Sequence, residues 1–151
     1  MTLWLDASVL VSLITRESTS HRIDDLLDRE IDMPIVSDFC VAECSAAIAR
    51  LVRIRERTPE EADELFRHLD TWVDTASALI DVESRDIIVA TDFVRRPGIA
   101  LRAPDAIHIA AAHRLGATLL TLDRGMAQAA AALGVDHLNP AEADAPGDQK
   151  D

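Results

Sequence analysis

Two aspartates directly follow short apolar runs of the chain, where they could serve as ligands of a cation. Asp6 ends the run LWLD, and Asp123 ends LLTLD by the same order of apolar run, aspartate and helix start. Two more acids lie in helical patterns, Glu43 within SDFCVAECSAAIAR and Asp105 within APDAIHIAAAHR. If the four carboxylates converge, they repel one another unless a positive charge neutralises them. Such hard oxygen ligands in a partly open site favour Mg²⁺ or Mn²⁺.

Each of these acids also has a structural interpretation that needs no cation. Asp6 and Asp123 could be helix N-caps, and Asp105 could complement the helix dipole in a first turn. Glu43 could be a solvated charge, although it shares its side of the helix with alanines and Arg50, which would leave the carboxylate accessible. The functional interpretation therefore depends on whether the four side chains meet.

The elements that would position the acids alternate along the chain. Buried strands are predicted at the apolar runs 2–6, 34–37, 78–82, 117–123 and 135–138. Helical patterns lie between them, the clearest at 37–55, after residue 58 and at 104–116. This alternation predicts a parallel sheet covered by helices on both faces. Ligands of such sheets bind at the carboxyl ends of the strands, so Asp6 and Asp123 face each other if the first and fourth strands are neighbours.

The composition predicts one domain. With 151 residues, 48% of them apolar, the chain fits one globular unit, which we place at residues 1–140. Residues 141–151 carry four acids and one lysine, and we expect an acidic disordered tail there. No apolar run approaches the roughly 20 residues of a membrane span. Because the N-terminus also lacks a secretory signal, we expect a cytoplasmic protein without membrane contact. Cys40 and Cys44 fit buried small side chains better than a disulfide.

The charged residues exclude several classes of function. Lys150, in the tail, is the single lysine of the chain, so the body has no lysine for a P-loop, a Schiff base or a receiver domain. The formal net charge is −12, and the tail contributes −3, which leaves −9 on the body. Such a charge repels nucleic acid unless a local positive field reverses it.

The four acids and their neighbours, read in order, resemble a known family. LDAS with Asp6, AEC with Glu43, APDAIHIAAA with Asp105 and TLDRG with Asp123 are similar to the motifs of PIN-domain ribonucleases, and among these to the VapC-like toxins of bacterial toxin–antitoxin pairs. The resemblance covers roughly residues 2–140. It implies an α/β fold, a three-layer α/β/α sandwich whose five-stranded parallel sheet has the order 3-2-1-4-5.

The resemblance also implies the site and its chemistry. The acidic centre would consist of Asp6, Glu43, Asp105 and Asp123, with Ser8 and Thr121 as auxiliary polar groups. Asp6 and Asp105 would bind Mg²⁺ or Mn²⁺ directly, whereas Glu43 and Asp123 would act through water or hold a second ion. The activity implied is hydrolysis of RNA phosphodiester bonds by a metal-dependent endoribonuclease.

Partners are implied by the same resemblance. A VapC-like toxin would have a cognate antitoxin that covers the cleft, and it would form a homodimer through apolar positions of the early helices, such as Ile23, Leu26 and Leu27. The alternative is a PIN domain with a role other than a toxin, or a catalytically idle one that acts as a protein-binding module. The intact set of four acids argues against an idle domain, because such a domain gains nothing from their repulsion.

Arginines would have to guide an RNA backbone toward an acidic site. The candidate phosphate contacts are Arg50, Arg53 and Arg57, which fall at helical spacing on one stripe, and Arg102, which precedes the helix of Asp105. Each of these arginines could equally be a solvated charge that pairs with nearby acids.

Aromatic side chains are scarce in this chain. Aromatic residues are 3% of it and none is tyrosine, so a base-stacking platform is not expected. The aromatic residues lie in apolar patterns that indicate core or interface positions: Trp4, Phe39, Phe66, Trp72 and Phe93. His108, one turn after Asp105, either approaches the site or has a packing or surface role.

Overall fold

Short strands and longer helices alternate along the chain. The computed structural model describes residues 1–142, so most of the tail expected at 141–151 lies outside the described residues. The strands are β1 (Leu3–Leu5), β2 (Ile35–Ser37), β3 (Ala78–Ile80), β4 (Thr118–Leu120) and β5 (His137–Leu138). The helices are α1 (Ala7–Thr15), α2 (Ser20–Leu27), α3 (Asp38–Arg53), α4 (Pro59–Ala76), α5 (Ser84–Val94), α6 (Ala103–Arg114) and α7 (Arg124–Ala132).

The strands form one parallel sheet with the order β3-β2-β1-β4-β5. β1 lies at its centre, where Trp4 pairs with Leu119 of β4 and with Ile35 of β2. The chain builds β2 and β3 on one side of β1 and then crosses to β4 on the other side, so the order reverses between β1 and β4. The predicted strand order is confirmed, and the two strands that precede Asp6 and Asp123 are neighbours at the point where ligands bind in such sheets.

Helices cover both faces of the sheet and enclose two cores. Because side chains alternate along a strand, Leu3 and Leu5 pack on one face with α1 to α4, whereas Trp4 packs on the other face with α5 to α7. The same alternation places Leu120 and Leu119 of β4 in different cores. The predicted three-layer α/β/α sandwich is confirmed. Within residues 1–142, no helix is both long and apolar enough to cross a lipid bilayer.

Local signals place the ends of the two helices that carry Glu43 and Asp105. Ser37 caps α3 by accepting a hydrogen bond from the backbone N–H of Cys40 at 2.9 Å. Pro104 lies in the first turn of α6, where its missing N–H has no cost. Gly116 follows the end of α6 with a positive φ of 60°, a conformation that favours glycine.

A buried ion pair holds α5 against α6. Arg114 donates two hydrogen bonds to the carboxylate of Asp86, from Nε to Oδ1 at 2.7 Å and from Nη2 to Oδ2 at 2.9 Å. Burial is the largest single effect on the Asp86 carboxyl and raises its pKa. The hydrogen bonds from Arg114 and from the backbone N–H of Glu83, together with the charges of Arg114 and Arg85, outweigh burial and hold the pKa below its usual value. Because removing one partner of a buried pair costs about 3–5 kcal/mol, the pair anchors the far end of the helix that begins near Asp105.

The structure also bears on two expectations about apolar positions. Cys40 and Cys44 are free and buried in α3, as predicted, and burial raises the pKa of the Cys44 thiol to about 12. The expectation that Ile23 contributes to a dimer contact is wrong, because its side chain is fully buried in the core of its own chain. Leu26 and Leu27 are only partly buried against that core, so a dimer contact through them stays a prediction.

Candidate active site

Asp6 lies at the carboxyl end of β1, and its side chain is buried between the ends of two neighbouring strands. The residue is 1% exposed, and its backbone N–H donates to the carbonyl of Leu120 on β4 at 3.1 Å. Oδ1 accepts hydrogen bonds from Ser8 Oγ at 2.6 Å and from the backbone N–H of Val9 at 3.0 Å. Oδ2 accepts one from Thr121 Oγ1 at 2.6 Å. The side chain thus caps α1 and is anchored to the end of β4.

The Asp6 carboxyl is difficult to ionise in this environment. Burial raises its pKa above the usual value, although the hydrogen bonds from Ser8, Thr121 and the backbone of Val9 act in the opposite direction. The folded state therefore holds the ionised carboxylate at a cost in free energy. A cation beside Asp6 would reduce that cost.

Asp123 occupies the corresponding position after β4. Its Oδ1 accepts a hydrogen bond from the backbone N–H of Met126 at 3.0 Å, so Asp123 caps α7. Its own N–H donates to Thr121 Oγ1 at 3.0 Å, and this hydroxyl is the one that donates to Asp6. A Cβ on Gly125 would lie 3.2 Å from Asp123 Oδ1, so the glycine leaves room for the carboxylate. Thr121 therefore connects the two acids at the strand ends.

Ser8 makes a second connection between the same strand ends. Its hydroxyl donates to Asp6 and accepts a hydrogen bond from the backbone N–H of Leu122 at 3.0 Å. Ser8 and Thr121 thus use their hydrogens to hold the Asp6 carboxylate and their oxygens to hold the segment after β4. The two aspartates are N-caps and also neighbours, so the structural and the functional interpretation of these residues are compatible.

Asp105 lies in the first turn of α6 and is paired with Arg102. The Nε of Arg102 donates to Asp105 Oδ2 at 3.1 Å, and its Nη2 lies 4.0 Å from Asp123 Oδ2. The side chain of Arg102 is 78% exposed, whereas that of Asp105 is 14% exposed. The guanidinium of Arg102 therefore lies between two of the expected metal ligands and places a positive charge beside both carboxylates.

Glu43 meets α6 through His108. Its Oε1 lies 2.5 Å from His108 Nε2, and the other ring nitrogen, Nδ1, accepts a hydrogen bond from the indole Nε1–H of Trp4 at 3.1 Å. His108 is 1% exposed, so a surface role is wrong. The ring is packed in the core and at the same time contacts Glu43. Burial raises the pKa of the Cys40 thiol well above its usual value. The negative charges of Asp6 and Glu43 act in the same direction, because both acids are neighbours of this residue of α3.

The structure connects the four expected ligands in pairs and does not bring them into one cluster. Asp6 and Asp123 are linked by Thr121, Asp123 and Asp105 by Arg102, and Glu43 is joined to α6. Among residues 1–142, no three His, Cys, Asp or Glu side chains are close enough together to hold a metal ion. The donors are the carboxylate and hydroxyl oxygens that Mg²⁺ prefers. The chemistry of these donors therefore fits the expected cation, and in the structure the guanidinium of Arg102 lies beside two of them.

The arginines expected on one helical stripe are separated by the end of α3. Arg50 and Arg53 lie in the last turn of the helix and are exposed. The expected continuation of the stripe to Arg57 is wrong, because α3 ends at Arg53 and Arg55 adopts a left-handed conformation with φ of 61°. The backbone N–H of Arg57 donates to the carbonyl of Leu51, so the chain has already turned back there. A phosphate contact by each arginine stays a prediction.

Fold and site together define a class of protein, an α/β/α sandwich with acids at the switch point of its parallel sheet. The PIN domain family model matches residues 3–132, and the chain belongs to this family. Ribonuclease VapC35 of Mycobacterium tuberculosis is 30% identical over 147 residues, which cover 93% of this chain and 98% of the relative.

Two solved structures illustrate the similarity of the fold. VapBC2 of Rickettsia felis, bound to a DNA fragment from their promoter, superposes with a TM-score of 0.70 at 15% identity, covering 92% of this chain and 98% of that one. The Sarcin-Ricin loop cleaving toxin VapC20 of M. tuberculosis has a TM-score of 0.66 at 16% identity, covering 85% and 95%. At these identities the likeness is one of fold.

Two contacts of the site, Trp4 with His108 and Arg102 with Asp105, do not follow from the sequence predictions. The sequence predicts Trp4 only as a core or interface residue, yet its indole N–H donates to His108, which in turn contacts Glu43. A signal exists, because residues two apart on a strand point to the same face, as Trp4 and Asp6 do. The pairing of Arg102 with Asp105 is signalled by their spacing of three at a helix start.

The stability of Asp6→Asn relative to the wild type should increase as pH rises from about 4 to neutral in the presence of a chelator. The folded-state pKa of Asp6 is raised, so its ionisation lowers the free energy of unfolding as pH rises from the usual carboxyl pKa through the raised one. Asparagine does not ionise, so its stability lacks this decrease. Its amide nitrogen cannot accept the hydrogen bond from the Thr121 hydroxyl, but that loss is the same at every pH.

Thermal unfolding with EDTA across this pH range measures the difference. Asp63→Asn, at an exposed position of α4, is the matched control, because it changes the net charge equally without a buried acid. A stability difference between Asp6→Asn and the wild type that does not change across this pH range would contradict the cost assigned to Asp6.

Proposed function

We propose that this chain is a divalent-metal-dependent endoribonuclease and the toxin of a toxin–antitoxin pair. The observation that carries the proposal is the pair of strand-end acids, Asp6 and Asp123, joined through Thr121 and Ser8 at the switch point of a PIN domain. The 30% identity to ribonuclease VapC35, over nearly the whole length of both chains, supports a ribonuclease of the same kind.

The expected ligands differ in how firmly they are held. Asp6, fixed by three hydrogen bonds, would hold the cation together with Asp105, while Glu43 and Asp123 would act through water or hold a second ion. A bound Mg²⁺ or Mn²⁺ would lower the pKa of a coordinated water and neutralise charge on the reacting phosphate. The N-termini of α1, α6 and α7 lie at this edge, so their positive dipole ends offset part of the negative charge of the three aspartates.

The reaction is hydrolysis of a phosphodiester bond. The oxygen of a water attacks phosphorus in line with the 3′ oxygen, the bond between phosphorus and that oxygen breaks, and the products carry 5′ phosphate and 3′ hydroxyl ends. Ser8 and Thr121 contribute by holding the Asp6 carboxylate in one orientation, which is the positioning that such a site requires.

RNA must approach against a strongly negative chain. The charge of −12 requires local positive groups, and the exposed arginines Arg50, Arg53, Arg57 and Arg102 are the candidates. Arg102 would have two roles, since it neutralises Asp105 and Asp123 before a cation binds and is then free to contact a phosphate. Pairs between exposed charges contribute about 0–1 kcal/mol, so this exchange costs little.

An antitoxin that covers the edge of the sheet would regulate this activity. A segment that supplies another arginine to the four acids would replace the charge of the cation, as Arg102 already does in part. Homodimerisation is part of the same proposal, with Leu26 and Leu27 of α2 as the remaining candidate contacts.

Purified wild-type protein should cleave RNA with Mg²⁺ or Mn²⁺, and Asp6→Asn and Asp105→Asn should each lose about 100-fold or more of the rate, because several kcal/mol of charge stabilisation depend on the cation. The measurement is single-turnover cleavage of a labelled RNA, with end analysis of the products. Asp63→Asn serves as the control and should keep the full rate. Cleavage that persists in EDTA, or in Asp6→Asn, would refute the metal mechanism.

Expression of the wild type should arrest the growth of a bacterial host, whereas Asp6→Asn should permit growth at an equal protein level. Colony counts after induction, with immunoblots for the two proteins, measure this. Equal growth of both strains, from a protein that cleaves RNA in vitro, would separate the nuclease from the toxin and favour another PIN-domain role.

Arg102→Gln should bind Mn²⁺ more tightly than the wild type and bind RNA more weakly. Loss of the competing guanidinium should improve Mn²⁺ affinity by up to about fivefold, the equivalent of an exposed ion pair, while loss of a phosphate contact should raise KM for RNA. Mn²⁺ titration followed by electron paramagnetic resonance, together with cleavage kinetics, measures both effects. Arg67→Gln, at an exposed position of α4, is the matched control. Unchanged Mn²⁺ affinity would show that Arg102 does not compete with the cation.

A further inference from the structure

A line of hydrogen bonds crosses the layers of the fold and ends at Glu43. It starts at Trp4 on β1, whose indole Nε1 lies 3.1 Å from His108 Nδ1, and continues from His108 Nε2 on α6 to Glu43 Oε1 on α3 at 2.5 Å. Trp4 is 0% and His108 1% exposed, whereas the side chain of Glu43 is 27% exposed. The line therefore runs from the core to the accessible edge that bears the other acids.

The indole of Trp4 determines which nitrogen of His108 carries the proton. An indole N–H can only donate, so Nδ1 of His108 must accept and cannot carry a hydrogen. The N–H of the ring is then on Nε2 and donates to Glu43 Oε1. The contact with Glu43 is thus a hydrogen bond from Nε2–H to a carboxylate oxygen.

The surroundings of His108 hold the ring in this orientation. The ring of Trp4 packs edge-on against it with centroids 6.2 Å apart, and the ring of Phe39 lies 5.5 Å away. Buried rings packed on two sides have little rotational freedom. Every polar atom of the ring has its partner, so reorientation would leave a buried group unsatisfied, at a cost of about 1–3 kcal/mol.

We infer that Trp4 and His108 are positioning residues that select which oxygen of Glu43 serves the site. Oε1 is held by His108, and within residues 1–142 Oε2 accepts no hydrogen bond, so Oε2 is the oxygen available to a cation or to its water. Partners of this kind, which orient a metal ligand from behind, affect metal affinity by about 10- to 100-fold. The inference rests on the proposed metal-dependent function and assigns roles to two residues that touch neither cation nor RNA.

Two substitutions of His108 separate positioning from packing. His108→Gln places an amide nitrogen where Nε2 was, so it can still donate to Glu43, whereas His108→Asn reaches only the position of Nδ1. Both remove the ring, and asparagine also leaves a larger space in the core because its side chain is one methylene shorter. A packing role therefore lowers the thermal stability of His108→Asn, whereas a positioning role lowers the Mn²⁺ affinity of the protein that remains folded.

The first measurement needs no RNA. Mn²⁺ affinity, from electron paramagnetic resonance on proteins shown to be folded by circular dichroism, should be close to that of the wild type for His108→Gln and lower by about tenfold or more for His108→Asn. His113→Gln, at an exposed position of the same helix, is the control and should have no effect. In cleavage assays the loss in His108→Asn should fall on kcat at saturating Mg²⁺, with KM for RNA unchanged.

The second measurement reads the tautomer directly. A long-range ¹H–¹⁵N spectrum of the metal-free protein should show one state of His108, with its hydrogen on Nε2 and none on Nδ1, and Trp4→Phe should lose this single state. This spectrum also replaces the affinity test if both His108 variants fail to fold.

The possible results distinguish this inference from the proposed function. A hydrogen on Nδ1 of the wild type, or equal Mn²⁺ affinity of the two His108 variants in a protein that cleaves RNA, would overturn the inference alone. A wild type that neither binds Mn²⁺ nor cleaves RNA would overturn the proposed function and the role of Glu43 with it, even if His108 has the expected tautomer.

Discussion

A buried carboxylate at the end of the central strand is the constraint around which the site forms. Asp6 is tolerated at 1% exposure because the hydroxyls of Ser8 and Thr121 and one backbone N–H satisfy its oxygens. The same two hydroxyls accept hydrogen bonds from backbone groups that follow β4. Satisfying the acid and fixing the relative position of the ends of β1 and β4 are therefore one set of interactions.

The other acids differ in the partners that hold them. His108 holds Glu43 from the core, where a donor of low exposure keeps its place. Arg102 holds Asp105 from the solvent, and a guanidinium that is 78% exposed is a weak partner. Under the proposed function, a cation that binds at this edge would displace only the solvent-exposed charge. The repulsion expected between Asp105 and Asp123 is met by this one arginine of the same chain.

The alternation of strands and helices and the positions of Asp6 and Asp123 at two strand ends could be predicted because they follow short-range patterns, in which an apolar run, an acid and a helix start recur after β1 and β4. The strand order followed from the resemblance to the PIN-domain family. The remaining features depend on residues that are distant in sequence. Trp4 and His108 are 104 positions apart, and only the crossing from β3 to β4 brings α6 beside β1. Ile23 is fully buried in the core of its own chain, and its local pattern does not distinguish a core position from a contact between two copies. The left-handed turn at Arg55 likewise interrupts an arginine spacing that looks regular in the sequence.

The cost of ionising Asp6 indicates why an acid, and not a neutral capping residue, occupies the N-cap of α1. As an N-cap, asparagine or serine would serve α1 equally well, and neither has a charge that burial penalises. Capping alone therefore does not explain a carboxylate whose pKa is raised by its environment and whose two oxygens are held in place. A ligand that binds only the ionised, folded form offsets the cost by an amount that grows with the logarithm of its concentration over its dissociation constant. Residues that lower stability in this way are typical of functional sites, because their compensation arrives with the ligand. The N-cap geometry then has a supporting role, since the positive dipole end of α1 offsets part of the cost of ionising the Asp6 carboxyl.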